Sequence, residues 1–302
     1  MLDSTDTPKT DNNQIPMLQP MELGGILDNA LSLYRNHFRI FLAVISIYIV
    51  WIGFQEAVVV WLLEKYNTPN FDNLISDVDS LLDSLVYMFG IGVLVVASSE
   101  IYLGRQVTFQ IALQRFCSRF PAYLGSSLLF LIPYTILTLD SIGMSTLMAV
   151  LILLSFPFLC VFYIGWVFYG PAVLFEGYTT VEAFGRSRTL VRGTWMRVCR
   201  ITFAILLLQM ALYYVLGNSL GVLFALFGIV QDGSLMETVG DLLSLKYADM
   251  RPTSLNSLIM YIVYLGAEAL TFPIYAIGIT LFYYDLRIRK EGFDIEMQIR
   301  NS

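Results

Sequence analysis

Six stretches of this sequence, 40–63, 84–103, 122–139, 144–170, 197–217 and 257–282, are nearly free of charge. Each is about 18–27 residues long, and roughly 20 apolar residues in a helix cross a hydrocarbon core. They constrain the fold more than any other feature. Composition agrees: the chain is 57% hydrophobic and 14% charged, where a soluble domain is about 45–50% apolar and about 25% charged. Its mean hydropathy is +0.67. The blocks show no alternation at period two, which excludes a membrane β-barrel. The expected fold is an all-α integral membrane protein with six transmembrane helices.

Basic residues set the expected orientation. With the N-terminus inside, segments 1–39, 104–121, 175–200 and 283–302 face the cytoplasm and carry 15 of the 18 Lys and Arg. Only Lys65, Lys246 and Arg251 fall in the outer loops, together with ten acids: Glu64, Asp72, Asp77, Asp79, Asp83, Asp140, Asp232, Glu237, Asp241 and Asp249. Both termini are therefore expected in the cytoplasm, in a bacterial inner (plasma) membrane. Residues 1–21 are polar, acidic and proline-bearing, without the basic start and short apolar core of a secretory signal. They read as a disordered cytosolic tail. Residues 22–297 read as one membrane domain.

Three amphipathic stretches precede spans: ELGGILDNALSLYRNHF (22–38), VTFQIALQRFCSRF (107–120) and TTVEAFGRSRTLVRGTW (179–195). The first carries Leu23, Ile26, Leu27, Ala30, Leu31, Tyr34 and Phe38 on one helical stripe, as a surface helix requires. A shift of about 82 lays Ala30 on Ala112 and Phe38 on Phe120, and one of about 157 lays Arg35 on Arg192. Thr179 and Glu182 have the spacing of a capping box. These elbows are expected to lie with their apolar faces in the acyl boundary and their cations at anionic headgroups. Each leads into a hairpin of two spans, which suggests three repeats of elbow plus helical hairpin. After the fifth span, Gly217-Asn218-Ser219 marks a natural break. Residues 218–230 then either re-enter the membrane or extend the fifth helix. Residues 234–250 have the spacing of a surface helix.

Ionisable groups inside spans are costly and so are the default functional candidates. Glu56, with Gln55 beside it, and Glu268 qualify as an intramembrane polar site that could bind a cation or relay protons. The alternative is that each is hydrogen-bonded to a hydroxyl on a neighbouring helix. Pro133, Pro157 and Pro273 fall within spans, as kinks or as the broken helices of a transporter. His37 is the only histidine and the cysteines are Cys117, Cys160 and Cys199. That is almost no raw material for a histidine metal site or a Cys-His nucleophile pair, so no metal and no cofactor are expected. A formal charge of −6 argues against nucleic acid as a partner.

The last charged run, YYDLRIRKEGFDIE (283–296), crowds Asp285, Arg287, Arg289, Lys290 and Glu291 behind the sixth span. On a helix Asp285 reaches Arg289 and Arg287 reaches Glu291, both at i, i+4. With Tyr283 and Tyr284 at headgroup level, the run reads as a cytoplasmic anchor. YYDLRIRKEGFD, together with AFGRSRTLVRGTWMRV (183–198) and LQPMELGGILDNALSLYRNHF, resembles the membrane domain associated with glycerophosphoryl diester phosphodiesterases, over about residues 18–297. The resemblance implies a six-helix membrane bundle. In some members that domain is fused to a catalytic barrel using metal, acids and a histidine pair, which this chain has no room for. Phosphodiesterase activity is therefore not expected.

Two functional expectations follow, the first leading and the second its alternative. One is a non-catalytic scaffold or partner-binding module in contact with membrane lipids and a protein partner. The other is a transporter of a small solute, lipid or ion using Glu56 and Glu268. Whether those two carboxylates share a cavity separates them.

Overall fold

The computed structural model describes residues 19–66, 69–138, 146–229, 240 and 255–301, which contain helices and no strand. The helices are α1 (Leu23–Asn36), α2 (Phe38–Tyr66), α3 (Pro69–Tyr102), α4 (Phe109–Thr138), α5 (Thr146–Trp166) and the single turn α6 (Tyr169–Pro171). A π-turn (Ala172–Glu176) follows, then α7 (Thr180–Val191), α8 (Trp195–Leu226), α9 (Leu255–Glu291) and α10 (Phe293–Asn301). Among the described residues, five stretches are long and apolar enough to cross a membrane: Phe38–Val59, Val78–Tyr102, Pro157–Glu176, Trp195–Leu226 and Ile259–Glu291. The expected third span, 122–139, lies on α4, whose far end borders the undescribed residues 139–145. The surface helix expected at 234–250 falls almost wholly outside the described residues.

Helix α9 is the axis of the bundle and packs on α1, α2, α3 and α8. Its candidate span is 67% buried, against 17% for that of α8, so α8 turns most of its surface outward. Phe203, Leu207, Met210 and Val215 of α8 are exposed, as are Val50, Phe54 and Trp61 of α2. Such an apolar exterior is compatible with a membrane protein. Glycines bring the helices together, as small residues do inside bilayers. A side chain at Gly278 would meet Ile205 at 2.8 Å, and one at Gly217 would meet a Tyr264 ring carbon at 2.6 Å. Gly217 is therefore a packing glycine inside α8. The helix passes the expected break at 217–219 and ends at Leu226, so the extended-helix alternative is the one observed.

The elbows depart from expectation in two ways. The stretch 107–120 is not a separate elbow, because α4 runs unbroken from Phe109 to Thr138. Pro121, just past the predicted elbow, supplies no break. Much of each apolar stripe also faces protein rather than acyl chains, although Leu23, Leu31 and Phe38 of the first stay exposed. Ile26, Ala30, Ala112, Phe116, Ala183 and Leu190 are all at most 1% exposed. Packing on rigid helices gives these side chains close dispersion contacts that fluid lipid does not. On α1, Tyr34 donates to the Leu270 carbonyl at 2.8 Å, and burial pushes its phenol up to about 12. The first turn of α7 is closed by Glu182, whose carboxylate accepts from the Thr179 backbone N–H at 3.1 Å and its hydroxyl at 2.8 Å.

The helices run through Pro133, Pro157 and Pro273. The break comes instead at Val167–Phe168, where α5 ends. Buried Ser187 of α7 satisfies the backbone there, donating to the Gly165 carbonyl at 3.0 Å and accepting from the Phe168 N–H at 3.1 Å. The π-turn beyond it ends at Gly177, whose φ of 76° is left-handed and suits glycine. This turn aims Glu176 back at the bundle.

Candidate functional site

Helices α2, α3 and α9 meet around a cavity of about 850 Å³. Helix α3 contributes Asp79, Asp83, Tyr87, Ile91 and Val95, a stripe at i, i+4 spacing that runs along about 24 Å of helix. Helix α2 contributes Tyr48, Ile52 and Glu56 at the same spacing, and α9 adds Tyr261, Tyr264, Leu265, Glu268 and Tyr275. Glu56 and Glu268, on different helices, thus line one cavity. Asp79 and Asp83 join them, and no Lys or Arg is among the described lining residues.

Polar contacts fix this acidic end. Tyr261 donates to Glu56 at 3.1 Å, and Tyr48 lies beside Glu268. Gln55 is 6% exposed and Asp79 5%. The Gln55 amide nitrogen donates to Asp79 at 2.8 Å and to Asp83 at 2.7 Å, while its oxygen accepts from Trp51 at 2.9 Å. One amide therefore ties α2 to two carboxylates of α3. The other end of the cavity is walled by Tyr123, Phe130, Tyr163, Tyr169 and Tyr275. Such a chamber suits a solute with positive charge at one end and an apolar or aromatic body at the other. Among the described residues, no three His, Cys, Asp or Glu side chains form a group able to hold a metal ion.

Asp79 and Asp83 were counted as loop acids because hydropathy places the span at 84–103. The helix begins at Pro69, which puts both on its inward stripe. Their signal was present in the i, i+4 spacing of Asp79, Asp83 and Tyr87, continuous with the span.

The anchor run occupies the opposite end of α9 and is built differently. Asp285 is fully buried. It accepts from Arg289 at 3.0 Å, from Arg197 at 3.0 Å and from the Met21 backbone N–H at 2.7 Å. Met21 is thereby held against α9, although it was expected at the end of a disordered tail. Glu176 and Glu291 share the guanidinium of Arg186, which raises the Arg186 pKa above its ordinary value, Glu291 most strongly. Arg287 bonds Glu291 at 3.1 Å and lies 3.3 Å from Glu176, and Tyr283 donates to Glu176. Lys290 donates to the carbonyls of Leu190 and Arg192 at 2.6 Å each, closing the end of α7. The two i, i+4 pairs are present, and both are embedded in bonds that cross helices. Tyr283 and Tyr284 are 0% and 2% exposed, so they pack inside the bundle rather than against headgroups.

The fold and the cavity define a class: a helical protein, compatible with a membrane, enclosing an acidic, tyrosine-walled chamber. Beyond that class the comparisons add nothing, for no family model, curated protein or solved structure matches this chain.

Proposed function

We propose that this protein is a six-span inner-membrane protein, both termini cytoplasmic, whose acidic cavity binds a small organic cation for passage across the bilayer. The observation that carries this reading is the convergence of Glu56 and Glu268, from two different helices, on one cavity that Asp79 and Asp83 also line. Carboxylates drawn into a helical bundle are costly, and a cationic ligand at Glu56 and Glu268 offsets that cost. The tyrosines supply π faces for the same charge. The location of 15 of 18 basic residues supports the orientation, and the amphipathic pattern shared by 22–38, 107–120 and 179–195 supports a threefold repeat whose second elbow is continuous with its span. The resemblance to the phosphodiesterase-associated membrane domain supports the six-helix bundle. Under this reading the protein is no enzyme and acts without a cofactor.

Ethidium, whose fluorescence rises on binding, probes the cavity in detergent-solubilised protein. Saturable binding should weaken roughly ten- to a hundredfold in Glu56→Gln and in Glu268→Gln, the worth of one charge-assisted contact. Ethidium flux in proteoliposomes that survives both changes removes these residues from the mechanism. For orientation, Cys117 is exposed. Its labelling by an impermeant thiol reagent in intact cells, in a Cys160→Ser, Cys199→Ser background, would overturn the proposed threading.

The scaffold reading keeps one supporting feature, the ion-paired belt around Asp285 and Glu176, which holds several segments in a fixed surface. It predicts co-purifying protein that is lost when the belt is broken.

A further inference from the structure

A second concave site lies apart from the acidic cavity, between α5, α7 and the start of α8. It is a groove of about 770 Å³. One wall is Phe158, Val161, Phe162 and Trp166 of α5, an i, i+3, i+4, i+8 stripe about 12 Å long. Phe158 is 78% and Val161 57% exposed, so the stripe is open on its outer side. The other wall is α7, where Arg188 and Arg192 stand one turn apart with Thr189 between them.

These two arginines differ from their neighbours. Arg186, on the opposite face of α7, is bound by Glu176 and Glu291. Arg197 and Arg289 are bound by Asp285, and Arg105 and Arg115 by Glu100. Arg188 and Arg192 have no acidic partner among the described residues. Cations near a helix C-terminus normally meet its last carbonyls, but Lys290 already occupies those of Leu190 and Arg192. Two like charges at i, i+4 repel, and no acidic side chain among the described residues pairs with them.

We infer that this groove holds an anionic glycerophospholipid taken from the surrounding bilayer, its phosphate on Arg188 and Arg192 and an acyl chain along Phe158, Val161 and Phe162. Two guanidinium groups one turn apart suit a phosphate. The aromatic stripe and the volume far exceed what inorganic phosphate needs and match an acyl chain entering from the lipid side. Trp166 lies at the junction of the two zones, where an amphipathic ring sits at the headgroup level. This inference rests on the membrane reading but not on cation passage.

Native mass spectrometry of the full chain in detergent tests it, with added phosphatidylglycerol, phosphatidylcholine or inorganic phosphate. Phosphatidylglycerol should be retained preferentially, and Arg188→Gln with Arg192→Gln should cut that preference about 30-fold, the worth of two arginines at a membrane surface. Arg35→Gln with Arg39→Gln removes equal charge from exposed positions elsewhere and should leave the preference intact. Arg188→Lys with Arg192→Lys should retain part of it. An unchanged preference in the Arg188/Arg192 variant, an equal loss in the Arg35/Arg39 control, or stoichiometric displacement by inorganic phosphate would each overturn the inference. Recovery of the protein from the soluble fraction without detergent would instead remove the membrane reading beneath it.

Discussion

The two ends of the bundle hold their carboxylates by opposite means. Around Asp285 and Glu176, buried acids are bound by guanidinium groups from several segments. At the cavity, Glu56 and Glu268 are held by phenols and Gln55 donates to Asp79 and Asp83, with no Lys or Arg among the described lining residues. An acid enclosed by arginines has its field cancelled and serves as a structural knot. An acid held by neutral donors keeps its field directed into the cavity, available to a ligand. The same residue types thus do two jobs, separated by the charge of their partners.

The comparison is most easily broken at Asp285. Its change to Ala strands Arg197 and Arg289 beside a buried vacancy and should cost about 3–5 kcal/mol; thermal unfolding in detergent measures it. A loss as small as that of an exposed pair would mean the knot is not structural. Next comes Gln55→Leu, which keeps the volume but removes the donor shared by Asp79 and Asp83. It should cost about 1–3 kcal/mol and alter ethidium binding, whereas Asp285→Asn should alter stability alone.

Smaller still are Glu56→Gln and Glu268→Gln, which keep a hydrogen-bonding oxygen and remove charge from carboxylates held by phenols. Each should change stability by under about 1 kcal/mol, the reverse of what charge removal does at Asp285. If either destabilises as strongly as Asp285→Asn, the two ends are alike after all. The smallest effect concerns pH. Hydrogen bonds from Thr179 hold Glu182 below its ordinary value of 4.5. A depressed carboxylate contributes stability above its unfolded pKa and loses it as pH falls through the folded one. Protection factors of the amides in the first turn of α7 should therefore fall only below about pH 4.5, and Glu182→Gln should remove that dependence.

The helical class was legible because hydropathy and helical period are local properties, written in consecutive residues. Glu56 and Glu268 were legible as candidates for the same reason, each standing out against its own apolar block. Their convergence was not, because 212 positions separate them and only the packing of α2 and α9 on α3 brings them to one cavity. Asp79 and Asp83 were misplaced because hydropathy marks where a chain becomes apolar, whereas a helix starts where its backbone can first turn, at Pro69. The elbow stripes were read as lipid-facing because an apolar face looks the same whether lipid or protein covers it.

By itself, then, the sequence determined an α-helical chain of long apolar segments with its cations gathered at the segment ends. These follow from hydrogen-bond satisfaction in a low-dielectric setting and from charge avoiding it. Only the tertiary structure decided which acids share a cavity and which are knotted to arginines, and placed Arg188 and Arg192, without an acidic partner among the described residues, beside an open aromatic groove. Partner choice depends on distances between segments remote in sequence, set by glycine contacts such as Gly278 against Ile205 that no local pattern encodes.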